Sequence, residues 1–330
     1  MTATTLADRP GSPEWVGRHG LSAVDACRLA QLHAAEADER VVSLEGDLGD
    51  FGGLDFQRRF PRRFLDVGIA EASLIGTAAG MATAGKVACV NTFASFALMR
   101  ACEQVRLDVA YHAANVKIFG TFTGLAAGFS GPTHHCIEDL AIARVLPGLT
   151  VLAPADAVAA YHLTRAAIER PGPAYLRLGM DATPQVYDAS ARFVVGRGVL
   201  LRDGEDLTIV AAGLTSVASA LEAARRLADR GTTARVVDMH TVKPVDADLL
   251  LDSAARTGLL VTVEEHSRIG GLGAAVAEVL GDRRPTPLLS LGTPDEFSHA
   301  VCDYSEHLRR CGLDAAGIVA AATGALARWK

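Results

Sequence analysis

Short apolar runs alternate along the chain with longer segments whose apolar residues recur every three to four positions. The runs at 40–44 (RVVSL), 86–91 (KVACVN), 115–122, 149–154 and 173–178 read as strands. Between them, 23–38, 69–84, 95–113 and 156–170 carry a helical period, and Asp156 stands where an N-cap belongs. This alternation predicts an α/β fold on a parallel sheet. The period fades over DATPQVYDASARFVVGR and then restarts. Strands at 206–213, 234–240 and 259–265 interleave with helices at 216–229, 246–256 and 272–280, before a final helix in the tail. The expectation is two consecutive domains, 19–182 and 198–330, each a mainly parallel sheet flanked by helices. A linker, 183–197, joins them, and a polar arm, 1–18, precedes them.

Composition narrows the class. Of 330 residues, 49% are hydrophobic, so a large core needs neither disulfides nor metals. A net charge of -6 without any basic run argues against nucleic-acid binding. The six cysteines show no C-x-x-C pair and no zinc spacing, which predicts free thiols in a reducing cytosol. The first residues, MTATTLADRPGSPEW, lack the basic and apolar regions of a signal peptide, and no apolar run is long enough to cross a membrane. A cytoplasmic protein is expected.

One carboxylate stands out. In DVGIAEASLIGTAAGMA, Glu71 falls in a segment of small and apolar residues. Gly76 and Gly80, with Ala72, Ala79 and Thr83, suit close helix–helix approach, so this helix is expected to be buried at an interface. A carboxylate there needs a polar partner. Downstream, Phe93 and Phe96 in NTFASFALMR read either as core aromatics or as a wall for a flat ring. The Gly-rich GLAAGFSGPTHHCIEDLA places His134 and His135 side by side in a loop, where a ligand-facing role competes with packing. Two further motifs are weak. GFSGP lacks the final glycine of a nucleophile elbow, having Pro132 instead. GGLGAAV lacks the third glycine of a dinucleotide fingerprint, having Val276.

Taken together, FLDVGIAEASLIGTAAGMA, NTFASFALMRACEQVR, GPTHHCIEDLAIARVLPGLTVLAPADA, AYLRLGM, DMHTVKPVD and VEEHSRIGGLG resemble, in order and spacing, the C-terminal half of transketolase. The resemblance runs from about residue 20 to the end. It implies a pyrimidine-binding domain followed by the transketolase C-terminal domain, with thiamine diphosphate as cofactor. It assigns Glu71 the proton shared with the aminopyrimidine, which lets the imino nitrogen remove the proton at thiazolium C2. Phe93 and Phe96 match the wall against the pyrimidine, His134 matches a substrate-contacting histidine, and Asp47, Met99 and Arg100 are carried over as further cofactor contacts. The GDG…N segment with which the family holds the diphosphate through Mg²⁺ has no counterpart in this sequence. The resemblance therefore implies a split enzyme. A separate subunit would supply the diphosphate-binding domain and most of the hold on Mg²⁺, in a heterotetramer of two of each.

The substrate loop departs from the family. Phe122 replaces a histidine, Phe129 and Ser130 replace an acidic pair, and Met180 stands where an arginine commonly holds the sugar phosphate. These changes predict a substrate other than an ordinary sugar phosphate: unphosphorylated, more apolar or carrier-bound. The alternative is that Arg100 or Arg177 takes over the lost contacts. Three functions compete: a transketolase-like subunit transferring a two-carbon ketol unit from a ketose-type donor to an aldehyde-type acceptor, the beta subunit of a 2-oxo acid dehydrogenase, and a non-catalytic subunit.

Overall fold

The computed structural model describes Val16 and residues 20–48, 54–126, 128–180 and 183–329, with only the backbone of Leu54 and Phe129. The polar arm therefore lies almost wholly outside the described residues. Twelve strands are described: β1 (Val41–Glu45), β2 (Phe64–Asp66), β3 (Val87–Phe93), β4 (Val116–Thr121), β5 (Thr150–Leu152), β6 (Ala174–Arg177), β7 (Val199–Arg202), β8 (Leu207–Ala212), β9 (Ala234–Asp238), β10 (Thr241–Lys243), β11 (Leu260–Ser267) and β12 (Leu288–Thr293). They form a seven-stranded sheet, β10-β5-β6-β4-β3-β1-β2, and a five-stranded sheet, β12-β11-β8-β9-β7. Every pairing is parallel except β10 on β5 and β7 on β9. β1, β4 and β8 are buried along their whole length. That is why they read as unbroken apolar runs rather than alternating ones.

The helices start where their caps stand. Ser22 and Asp25 form a capping box on helix Ala23–Ala37. The Asp156 carboxylate accepts Ala159 N–H at 2.7 Å, opening helix Ala157–Glu169 at the expected cap. The other oxygen of Asp156 accepts Val186 and Tyr187 N–H at 2.7 and 2.8 Å. So the stretch 183–197 is irregular yet tied down, and Tyr187 O–H reaches on to Asp238 at 2.7 Å.

The structure departs from the expected pattern in two informative places. The segment 95–113 is not one regular helix. It runs as π-helical Phe96–Arg100, α-helical Cys102–Gln104 and π-helical Val105–Tyr111. And β10, from the second half of the chain, joins the first sheet at its edge. Lys243 on β10 donates to Arg144 O at 2.8 Å and to Leu146 O. Both hydrophobic clusters draw residues from both halves, for example Leu176 with Ile209, and Val90 with Val210. Among the described residues no helix is long and apolar enough to cross a membrane.

Candidate active site

The parallel strands of the first sheet deliver the predicted residues to one edge. Asp47 follows β1, Glu71 follows β2, Phe93 ends β3, Phe122 follows β4 and Met180 follows β6. All lie at or past the carboxyl ends of their strands, where open α/β sheets bind ligands.

The turn before Glu71 is fixed by Asp66. Its carboxylate accepts Asp47 N–H at 3.0 Å and Gly68 N–H at 2.8 Å, so it ties the β1 loop to the β2 turn. Gly68 has φ +73°, a conformation that favours glycine. Helix Glu71–Thr83 then begins with Glu71 itself. The carboxylate is thus not inside a helix but at its N-terminus, where the helix dipole favours negative charge. Glu71 is 1% exposed and accepts from Arg100 Nη1 at 2.6 Å. The Arg100 side chain is 49% exposed. The wider π-helical turn over Phe96–Arg100 brings the Arg100 guanidinium over the Phe96 ring, 4.3 Å from its centroid, on its way to Glu71.

An aromatic group adjoins this pair. Phe93 and Phe96 ring centroids lie 5.8 Å apart, although Phe93 ends a strand and only Phe96 is helical. Phe122 packs 4.6 Å from Phe93. His134 stands edge-on to both wall residues, at 6.0 and 5.5 Å. Thr133 Oγ1 lies 2.9 Å from His134 Nδ1 and fixes the ring. Phe122 has φ +56°, rare for a bulky residue and strained by about 1–3 kcal/mol. Asp47 has the same φ and is exposed. Met99, 41% exposed, and the half-buried Met180 stand outside the ring cluster. The Ser130 carbonyl accepts from Thr133 Oγ1 at 3.5 Å. The Phe129 side chain lies outside the described residues.

Arg177 is not available as a substitute anion holder. It is 4% exposed, pairs with Asp139 at 2.8 Å and donates to the Glu265 carbonyl at 2.6 Å. The segment VEEHSRIGGLG contains Glu264 and Glu265, two further buried pieces of this junction to which the sequence reading gave no role. The Glu265 carboxylate accepts Leu125 N–H at 2.5 Å and Tyr304 O–H, anchoring the loop that carries His134. Burial raises Glu265 to about 6. The signal that could have found it is the Glu-Glu doublet closing an apolar strand. The first of the pair, Glu264, excludes the dinucleotide reading of GGLGAAV. Its carboxylate accepts Leu272 and Gly273 N–H at 2.6 and 2.8 Å, so the helix N-terminus that would take a phosphate is already capped from inside.

Among the described residues no group of three or more His, Cys, Asp or Glu side chains is arranged to hold a metal ion. The described donor set fits an aminopyrimidine instead. It offers a buried carboxylate with one displaceable partner, beside aromatic faces suited to a flat ring.

Comparison with known proteins gives the same outline. Residues 19–185 match the transketolase pyrimidine-binding domain, and residues 196–318 match the transketolase C-terminal domain. A 6-deoxy-6-sulfo-D-fructose transketolase subunit from Clostridium sp. strain MSTE9 is 42% identical over 293 residues, 88% of this chain and 90% of that protein. An apulose-4-phosphate transketolase subunit from Phocaeicola vulgatus is 41% identical, covering 89% of this chain and 95% of that one. A solved split-gene transketolase, described as an inactive beta4 tetramer, superposes with a TM-score of 0.86 at 43% identity. That match covers 94% of this chain and 99% of that one.

Proposed function

This chain belongs to the transketolase family, and we propose that it is the pyrimidine-binding subunit of a split, thiamine-diphosphate-dependent ketol transferase. A separate chain would complete it by holding the diphosphate and Mg²⁺. The domain limits 19–182 and 198–330, a cytosolic setting and a heterotetramer of two of each belong to the same proposal. The observation that carries it is the Glu71–Arg100 pair beside Phe93, Phe96 and His134 at the carboxyl edge of the sheet.

When bound, thiamine diphosphate supplies the centre that stabilises a carbanion on the donor. This chain's residues do the rest. Glu71 holds a proton on its carboxylate against the pyrimidine and, being withdrawn from water, makes a strong hydrogen bond. Phe93 and Phe96 bind and orient the flat ring. Arg100 exchanges Glu71 for solvent or cofactor as the ring enters, with Asp47 and Met99 at the margin. His134 carries a proton to or from a substrate hydroxyl.

The substrate lies among Phe122, Phe129, Ser130, His134 and Met180. Arg177 is engaged with Asp139, which favours a donor or acceptor without a terminal phosphate. Two relatives are named for a sulfonated fructose and for apulose 4-phosphate, so substrates vary among similar subunits. The test is to capture the partner from the native host, reconstitute the pair with thiamine diphosphate and Mg²⁺, and screen ketose donors. Transfer that needs both chains is the expected result. A pair that binds no thiamine diphosphate would overturn the reading, and lipoamide-dependent turnover would move it to the dehydrogenase class. High turnover of xylulose 5-phosphate with ribose 5-phosphate would remove the substrate proposal alone.

A further inference from the structure

The place of Glu71 is set before its helix begins. Helix Glu71–Thr83 has no capping side chain: its N-cap is Ala70, with φ -144° and ψ 64°. A Ser, Thr, Asp or Asn there would fix the first turn by bonding its free N–H groups. The start of this helix is fixed instead by the turn 66–70 that leads into it. Val67 N–H donates to Glu45 O at 3.0 Å, and Ala70 N–H donates to Gly68 O at 2.7 Å. The side chain that joins these backbone bonds is that of Asp66.

Asp66 ends β2, an edge strand of the seven-stranded sheet. A single oxygen, Oδ1, accepts both Gly68 N–H at 2.8 Å and Asp47 N–H at 3.0 Å. The two amides sit on different loops. Gly68, with φ +73°, leads to Glu71, and Asp47, with φ +56°, follows β1. A non-glycine residue keeps a left-handed conformation only where its surroundings impose it, and the bond to Asp66 is such a constraint. The two loops also pack closely. A Cβ on Gly46 would lie 3.5 Å from Leu74 Cδ2 and 3.7 Å from Gly68 O. Leu74 is buried in the first turn of the Glu71 helix. The loop after β1 therefore bears on both the turn and the helix, and Asp66 is the side chain that clasps them.

We propose that Asp66 is a positioning residue for Glu71: by holding Asp47 and Gly68 together it sets how the Glu71 helix starts, and so the direction in which the Glu71 carboxylate meets the pyrimidine. The proposal rests on the assignment of Glu71 to that ring. Asp66 acts through the backbone of the turn. The other hold on Glu71 is Arg100, whose side chain is 49% exposed and gives way to the ring. The turn then remains to aim the carboxylate, and small misplacements of a reacting group cost large factors in rate. The clasp needs an acceptor oxygen and not a charge, so asparagine should replace Asp66 and alanine should not. Asp66 is exposed, so its loss should move the aim of Glu71 far more than the stability of the fold.

The experiment has one part on the full chain alone and one on the two-chain complex. With 13C-labelled glutamate, the Glu71 carboxyl signal is identified by its loss in Glu71→Gln. Asp66→Ala should shift that signal and speed amide exchange at Asp47 and Gly68 by about tenfold or more. Asp66→Asn should leave the signal in place and the exchange within about threefold of wild type. The urea midpoint of both variants should stay within about 0.5 M of wild type. In the complex, Asp66→Ala should slow proton exchange at C2 of thiamine by about tenfold or more, with affinity for thiamine diphosphate changed by less than about threefold. Asp66→Asn should exchange near the wild-type rate. A Glu71 signal unmoved by Asp66→Ala, an Asp66→Asn variant as impaired as Asp66→Ala, or a larger urea shift would each overturn the proposal. So would wild-type C2 exchange in Asp66→Ala where Glu71→Gln is slow. Wild-type C2 exchange in Glu71→Gln itself would overturn the reading of Glu71, and this proposal with it.

Discussion

Glu71 and Glu265 are both withdrawn from water, at 1% and 5% exposed, and are held in opposite ways. Glu71 heads a helix and pairs with an arginine whose side chain is 49% exposed. Glu265 is closed in by a backbone N–H on one oxygen and the Tyr304 hydroxyl on the other. A partner that is half in solvent can give way to an incoming ring that takes over the Glu71 hydrogen bond, whereas leaving this buried carboxylate unpaired would be costly. A saturated buried carboxylate has no such exit. The difference separates a group kept ready for a ligand from one that holds a loop, and burial alone does not draw that line.

The largest effect that would test this contrast is on stability. Glu265→Ala leaves Leu125 N–H and Tyr304 O–H buried without their acceptor and should cost about 3 kcal/mol or more in urea unfolding. A loss below about 1 kcal/mol would break the contrast. Gly124→Ala comes next. Gly124 has φ +63°, and a Cβ there would sit 2.3 Å from Glu265 Oε1. We expect about 2 kcal/mol of destabilisation in the same unfolding measurement, together with weaker ketol transfer as the His134 loop moves.

The pH dependence sharpens the same point. Glu265 binds its proton more tightly in the fold, at about 6, than its ordinary value of 4.5. Its contribution to stability is therefore full below about pH 4.5 and is lost as pH rises through about 6, by about 2 kcal/mol at most. Glu265→Gln should flatten that fall, and an unchanged slope would show that Glu265 does not cause it. The smallest effect is at the other glutamate. Glu71→Ala should change unfolding free energy by no more than about 1 kcal/mol, since Arg100 simply returns to water. A larger loss would make Glu71 structural.

The sequence carried the two-sheet outline because most parallel strands are long, doubly buried and apolar, and because Asp156 caps its helix as its position implies. It did not carry β2 or β10, each three residues long and too short for any period. β12 is hidden between the prolines at 285 and 287 and that at 294. The π-helical turns at Phe96 and Val105 leave the apolar count of a helix unchanged, so the pattern there matches one regular helix. Glu71, Phe93, Phe96 and His134 were singled out through the family resemblance; in the fold the three rings pack together and the Arg100 partner of Glu71 lies over Phe96. The Arg100 clasp, the engagement of Arg177 by Asp139, and Glu265 beneath the loop were not legible. Each depends on contacts across 29 to 140 residues of chain.

The most direct test of the central claim is the rate of proton exchange at C2 of thiamine in the reconstituted two-chain complex, wild type against Glu71→Gln. If Glu71 holds the pyrimidine proton, exchange should slow by about 100-fold or more while thiamine diphosphate remains bound. Exchange at the wild-type rate in the Glu71→Gln complex would contradict it.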